Sequence, residues 1–138
     1  MIYESQNDRR YQDRCQWVLE YAGFEVKQSS TTMPWDMSLK RNGQPYAIVE
    51  YKTRHELYPT LKIDKDKIDS LIDLSEKHKV KPILIVHWPK IGGYWAWVCN
   101  RNAKVSLIKR MKPRGIAGEA PEAVDVCYSI PRSEFICI

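Results

Sequence analysis

The stretch Ala47-Ile48-Val49-Glu50-Tyr51-Lys52 decides how the chain is read. Three apolar residues lead into a glutamate and a lysine two positions apart. In a strand, side chains alternate between faces, so Glu50 and Lys52 share one side. A further acid, Asp36, lies fourteen residues upstream in Met33-Pro34-Trp35-Asp36. Two carboxylates and an ammonium converging at a sheet edge make a candidate divalent-metal site, with Asp36 and Glu50 as ligands. A backbone carbonyl of Val49 or Tyr51 is a further candidate donor.

Working outward, Arg41-Asn42-Gly43-Gln44 reads as a hairpin turn, because Asn-Gly supplies the positive φ values that a two-residue connection needs. It joins a strand expected over Met33–Leu39, carrying Asp36, to the strand that delivers Glu50 and Lys52. Pro34 places the start of the earlier strand at an edge or bend. Upstream, Tyr11, Cys15, Val18 and Leu19 recur at helical spacing over about Asp8–Tyr21. Gly23 marks the end of that helix, and Phe24–Lys27 alternates as a strand. Downstream, Thr53–Leu61 reads as a connection. A helix is expected from near Asp64, with Ile68, Leu71, Ile72 and Ser75 on its buried face and Pro82 as its limit. Ile83–Trp88 is a buried-strand candidate, and Gly92-Gly93 turns it into Tyr94–Cys99. Trp95 and Trp97 share a face of that hairpin, and at least one face is expected to be packed core or a dimer contact. Lys104–Leu107 and Val124–Ile130 are further strand candidates, with a loop over Gly115–Ala123 and a final turn over Pro131–Phe135.

The 138 residues amount to one domain. The formal charge of +5 favours an anionic partner, nucleic acid before membrane. Cys15, Cys99, Cys127 and Cys137 lack the spacing of a zinc knuckle or a redox motif. The N-terminus reads without a signal peptide. No apolar run approaches the roughly 20 residues of a membrane span, so a cytoplasmic protein with no membrane partner is expected.

Hydrolysis of a phosphodiester needs an activated water and neutralisation of charge on the phosphoryl group. Hard oxygen ligands such as Asp36 and Glu50 suit Mg²⁺, with Mn²⁺ as substitute. Lys52 has two candidate roles: handling the attacking water, or stabilising negative charge near the scissile phosphate. Arg54 and His55 follow the motif strand directly and are candidate contacts to a nucleic-acid backbone. The basic group Lys104, Lys109, Arg110, Lys112 and Arg114 is a second candidate contact surface.

The order of these features over Arg10–Trp88 resembles the PD-(D/E)XK, or restriction-endonuclease-like, nuclease superfamily, including its small phage members and Holliday-junction resolvases. Asp36, Glu50 and Lys52 match the motif's aspartate, glutamate and lysine. Trp35 departs from the plainest form, in which proline directly precedes the acid. The resemblance implies an αβββαβ core, a central mixed sheet flanked by helices. It implies a metal-dependent endodeoxyribonuclease, with branched DNA as one substrate and a homodimer as the matching assembly, in the host cytoplasm if phage-encoded. Many members place a glutamine or glutamate on the first helix, where Gln12 matches best, Asp13 next and Glu20 less well. Members also carry a basic residue or glutamine on the helix after the motif strand. Lys67 is the candidate, with Lys65 or Lys62 as substitutes. The alternatives are a non-catalytic nucleic-acid-binding protein on this fold, or a phage structural or assembly protein.

Overall fold

The computed structural model describes residues 6–110 and 123–138. The first helix, α1 (Gln6–Tyr21), ends where expected. Gly23 takes φ +99° and its N–H reaches the Glu20 carbonyl at 3.0 Å, while Phe24 N–H reaches Leu19 at 3.1 Å. This double closure satisfies carbonyls that the last helical turn leaves open. Strands β1 (Glu25–Gln28), β2 (Met37–Arg41) and β3 (Gln44–Thr53) follow as an antiparallel run. Asn42 and Gly43 both have positive φ, as the two-residue turn requires. A register shift at Leu39/Lys40 lies opposite the Pro45–Tyr46 step, where proline has no N–H for the ladder.

The chain then departs from expectation. Part of the presumed connection forms β4 (Thr60–Asp64), which belongs to a different sheet. Helix α2 (Lys65–His78) begins immediately after it. Asp64 caps it by accepting the Asp66 N–H at 3.0 Å, and Lys79 closes it at φ +56°. Strand β5 (Lys81–His87) returns parallel to β3, pairing Glu50 with Leu84 and Lys52 with Val86. Strands β6 (Tyr94–Val98), β7 (Lys104–Arg110), β8 (Ala123–Pro131) and the short β9 (Ile136–Cys137) complete the chain, with a 3-10 turn at Arg132–Glu134. The strand β9 was not expected. The loop expected over Gly115–Ala123 falls almost wholly on residues outside those described, as do Lys112 and Arg114.

The main sheet has the order β1-β2-β3-β5-β6-β9, and β4-β8-β7 forms a second, antiparallel sheet. Alternation along β3 divides the core. Ala47, Val49 and Tyr51 pack with Cys15 and Leu19 of α1, Met37, Leu39, Ile85 and Tyr94. Ile48 packs on the opposite face with Ile68, Leu71 and Ile72 of α2, Leu84, Val86, and residues Leu61, Ile63, Tyr128 and Ile130 of the second sheet. Trp97 is buried in this cluster and Trp95 packs against it, so the hairpin's indoles serve the core. Helices therefore flank a central mixed sheet, and the αβββαβ order is kept with β4 inserted ahead of α2.

Asp69 ties α2 to the second sheet. Its carboxylate is 2.5 Å from the Lys65 ammonium, accepts the Tyr128 hydroxyl at 2.5 Å, and lies 3.1 Å from Arg101. Burial pushes the Asp69 pKa up, but these partners outweigh it and hold the carboxyl below its ordinary value. The folded value thus lies below the unfolded one. The contribution is fully present above the unfolded range near ~4 and is lost as pH falls through the folded value. Asp69→Ala is expected to cost about 1–3 kcal/mol at neutral pH. Urea melts of both proteins at neutral and acid pH check this, and the gap between them should narrow in acid.

Candidate active site

Asp36 does not sit inside a strand. It precedes β2, at the end of a run of turns and bends. The expectation of a strand from Met33 fails because Pro34 cannot donate to a ladder. Instead the acid is pinned to β3 twice: its N–H donates to the Val49 carbonyl at 2.8 Å, and its Oδ2 accepts the Tyr51 N–H at 2.8 Å. Trp35, the residue that departs from the plain motif, donates its indole N–H to Ser38 Oγ at 2.9 Å.

Glu50 points to the α2 face of β3, as the alternation with Ile48 demands, and is only 3% exposed. A charge at this depth must be paired. Its Oε2 lies 3.2 Å from Lys52 Nζ and 3.1 Å from Lys67 Nζ. Lys52 stands on the same strand face, and Lys67 reaches down from the first turn of α2. Burial raises the Glu50 pKa and the nearby Asp36 charge raises it further, while Lys52 and Lys67 pull it down in part. Burial lowers the Lys52 pKa, against the pull of Glu50. For Lys67, burial acts downward but is outweighed by Glu50, and the ammonium is held above its usual value.

Asp36, Glu50, Lys52 and Lys67 line one cavity of about 380 Å³, which Gln12 and Arg54 also line. Gln12 is buried on α1, its amide 3.5 Å from Gln28. Asp13 pairs with Gln28 at 3.0 Å and with Arg9 at 3.6 Å, and Glu20 accepts from Gln16 at 3.3 Å; neither lines the cavity. Arg54 is half-buried, and that burial lowers its pKa against the pull of Glu50. His55 is turned onto Asp8, Nε2 to Oδ1 at 2.9 Å.

Other candidates fall elsewhere. Lys65 is engaged by Asp69 and lies over the Tyr128 ring, 5.4 Å from its centroid, so it serves the second sheet. Successive helical positions differ by about 100°, so residues 65 and 67 cannot both face Glu50. Lys62 lies on β4, exposed and outside the cavity. Lys109 and Arg110 end β7, in the second sheet. Asp8 was missed. It lines the cavity one helical turn before Gln12, and that i, i+4 spacing on one helix face was its only signal.

Two carboxylates suit Mg²⁺, which retains several waters and takes few protein ligands. Among the described residues no group of three His, Cys, Asp or Glu could hold a metal ion. A pair of carboxylates is the donor type of a hard, largely hydrated ion and not of the closed thiolate and imidazole shell of a structural zinc.

A helix on each face of a mixed sheet, with the acid, E-x-K strand and helix in this order, defines a PD-(D/E)XK-type fold. Among solved structures, the chain is similar to the Holliday junction resolvase of the archaeal hyperthermophile Archaeoglobus fulgidus. The two are 17% identical, with 65% of this chain and 75% of that chain covered at a TM-score of 0.56, a likeness of fold. No curated protein matches the chain. The family described as "Phage putative PDDEXK endonuclease" matches residues 1–138, and the chain belongs to that family.

Proposed function

We propose that this protein is a metal-dependent endonuclease that hydrolyses DNA phosphodiester bonds, acting as a single domain over residues 1–138. The observation that carries this reading is the shared cavity. Asp36 is fixed to β3 through the Tyr51 N–H, and Glu50 of the same strand is gripped by Lys52 and Lys67. Asp36 and Glu50 would hold Mg²⁺, with a backbone carbonyl of β3 as a neutral donor. The ion would make a bound water more acidic and neutralise charge on the phosphoryl group.

The protein's own groups supply the rest. Lys52, ion-paired and mostly buried, presents a positive charge beside the reacting phosphate and stabilises the charge that grows on its oxygens. Lys67 positions Glu50 by holding Oε2 from the α2 side. Gln12 borders the site from α1 and orients water or phosphate by hydrogen bonding. Arg54, at the cavity's edge, takes an adjacent phosphate with its planar fork. Symmetric cutting of branched DNA fits a homodimer, which pairs two such sites about a twofold axis. No helix among the described residues is long and apolar enough to cross a membrane, and the host cytoplasm is the proposed location.

A second reading, a non-catalytic DNA-binding protein on this fold, draws on Glu50 Oε2 being held by two lysines, at 3.2 Å and 3.1 Å. One experiment separates them. Purified protein is given linear, nicked, single-stranded and four-way DNA, each with Mg²⁺, Mn²⁺ or EDTA. The nuclease reading expects cleavage with either metal and none with EDTA. Binding without cleavage of every substrate overturns it.

A further inference from the structure

A second cavity adjoins the candidate active site at Arg54, and a third adjoins the second at Thr60 and Lys62. Arg54 lines the Asp36–Glu50 cavity and also a neighbouring one of about 510 Å³, walled by Tyr58, Leu61 and Trp88. Lys62 lines that cavity and a third, of about 570 Å³, together with Lys104, Ser106 and Ser129. A path thus runs from the two carboxylates past Arg54, over an aromatic cavity, and on to Lys62 and Lys104.

The middle cavity has an aromatic wall, and Glu56, which also lines it, is paired with Lys90 at 3.5 Å. Trp88 is 2% exposed, and Phe135 packs edge-on against it at 5.3 Å, which makes a fixed floor. Tyr58 at the opening is 64% exposed, yet its backbone is anchored. Arg132 Nε donates to the Tyr58 carbonyl at 2.8 Å, and Arg132 N–H donates to Pro59 at 2.9 Å. An exposed ring on a fixed backbone beside a cavity, flanked by cations, is the arrangement that stacks a nucleobase while its phosphates are held. An intact duplex keeps its bases stacked inside and offers none to such a cavity without the cost of extrusion.

Resting on the nuclease reading above, we infer that the cavity of Tyr58 and Trp88 takes the base of an unpaired nucleotide next to the cut. Arg54 and Lys62 would hold the phosphates on either side. The substrate class that follows is DNA with a single-stranded segment adjoining the scissile bond, as at a flap, gap, overhang or branch. A plain surface tyrosine, the simpler account of Tyr58, predicts no dependence on unpaired bases.

The test compares a flush duplex with the same duplex carrying a single-stranded extension beside the cut, through the ratio of their kcat/KM values. Tyr58→Ala should lower the preference for the extended substrate about tenfold. Tyr58→Phe should keep it, because the ring and not the hydroxyl is needed. Tyr21→Ala, on an exposed ring at the far end of α1, should leave it unchanged. Separately, 2-aminopurine in the extension should be quenched by wild type in EDTA and not by Tyr58→Ala. Equal loss on both substrates, an unchanged ratio, or no quenching by wild type overturns the inference. Quenching without cleavage in Mg²⁺ supports the cavity and sinks the nuclease reading. Cleavage that needs Glu50 but ignores Tyr58 sinks the cavity alone.

Discussion

Glu50→Gln should abolish DNA cleavage, by at least about a thousandfold in kcat, in a protein that still folds. The amide keeps the volume of the side chain in its buried place and removes one of the two anionic ligands proposed for the metal. Glu50 is also the hub on which Lys52 and Lys67 converge, so its charge organises both cations. Single-turnover cleavage in Mg²⁺ measures the loss, and thermal melting in EDTA checks the fold. Asp36→Asn should behave alike, because its carboxylate is the only other acid proposed as a ligand. A Glu50→Gln protein that cuts at near wild-type rate would remove Glu50 from the chemistry.

Lys52→Ala should lower kcat by about a hundredfold to a thousandfold while leaving DNA binding largely intact. The partner variant Lys52→Arg decides between the two roles that the residue type allows. Arginine stays protonated throughout the accessible pH range and cannot accept a proton. Burial lowers the Lys52 pKa, but the ion pair with Glu50 at 3.2 Å opposes it and favours the charged form, so Lys52→Arg should recover a measurable part of the lost rate. Arginine as inactive as alanine would instead assign Lys52 to proton transfer. The wider guanidinium must fit beside Lys67, so recovery is expected to be partial.

Much of this site was legible in the chain. The alternation around Glu50 and Lys52 needs only the pleat of a strand, and the structure keeps it because Ile48 on the same face must be buried against α2. Asn42-Gly43 set the hairpin that returns β3 beside Asp36. Lys67 was a candidate only through the family resemblance, which expects a basic residue on the helix after the motif strand. Asp36 itself was found, but its setting was not. A residue just outside a strand looks like part of it until its side chain is seen capping the Tyr51 N–H.

Other features depend on distant contacts that local pattern does not carry. The sequence Thr60–Asp64 pairs with β8, more than sixty residues later, and that partner made it a strand. Lys65, the substitute candidate for Lys67, is claimed instead by Asp69 and Tyr128. His55 looked free until α1 brought Asp8 against it. The two-residue β9 is held by Trp95 and Ala96 and has too little pattern to read alone.

The location of the metal tests the central claim most directly. Crystals soaked in Mn²⁺ and measured for anomalous scattering should show a peak in contact with the carboxylates of Asp36 and Glu50. The same soak of Glu50→Gln crystals should show the peak gone or greatly weakened. A strong Mn²⁺ peak elsewhere in wild type, with none at these two acids, would contradict the account.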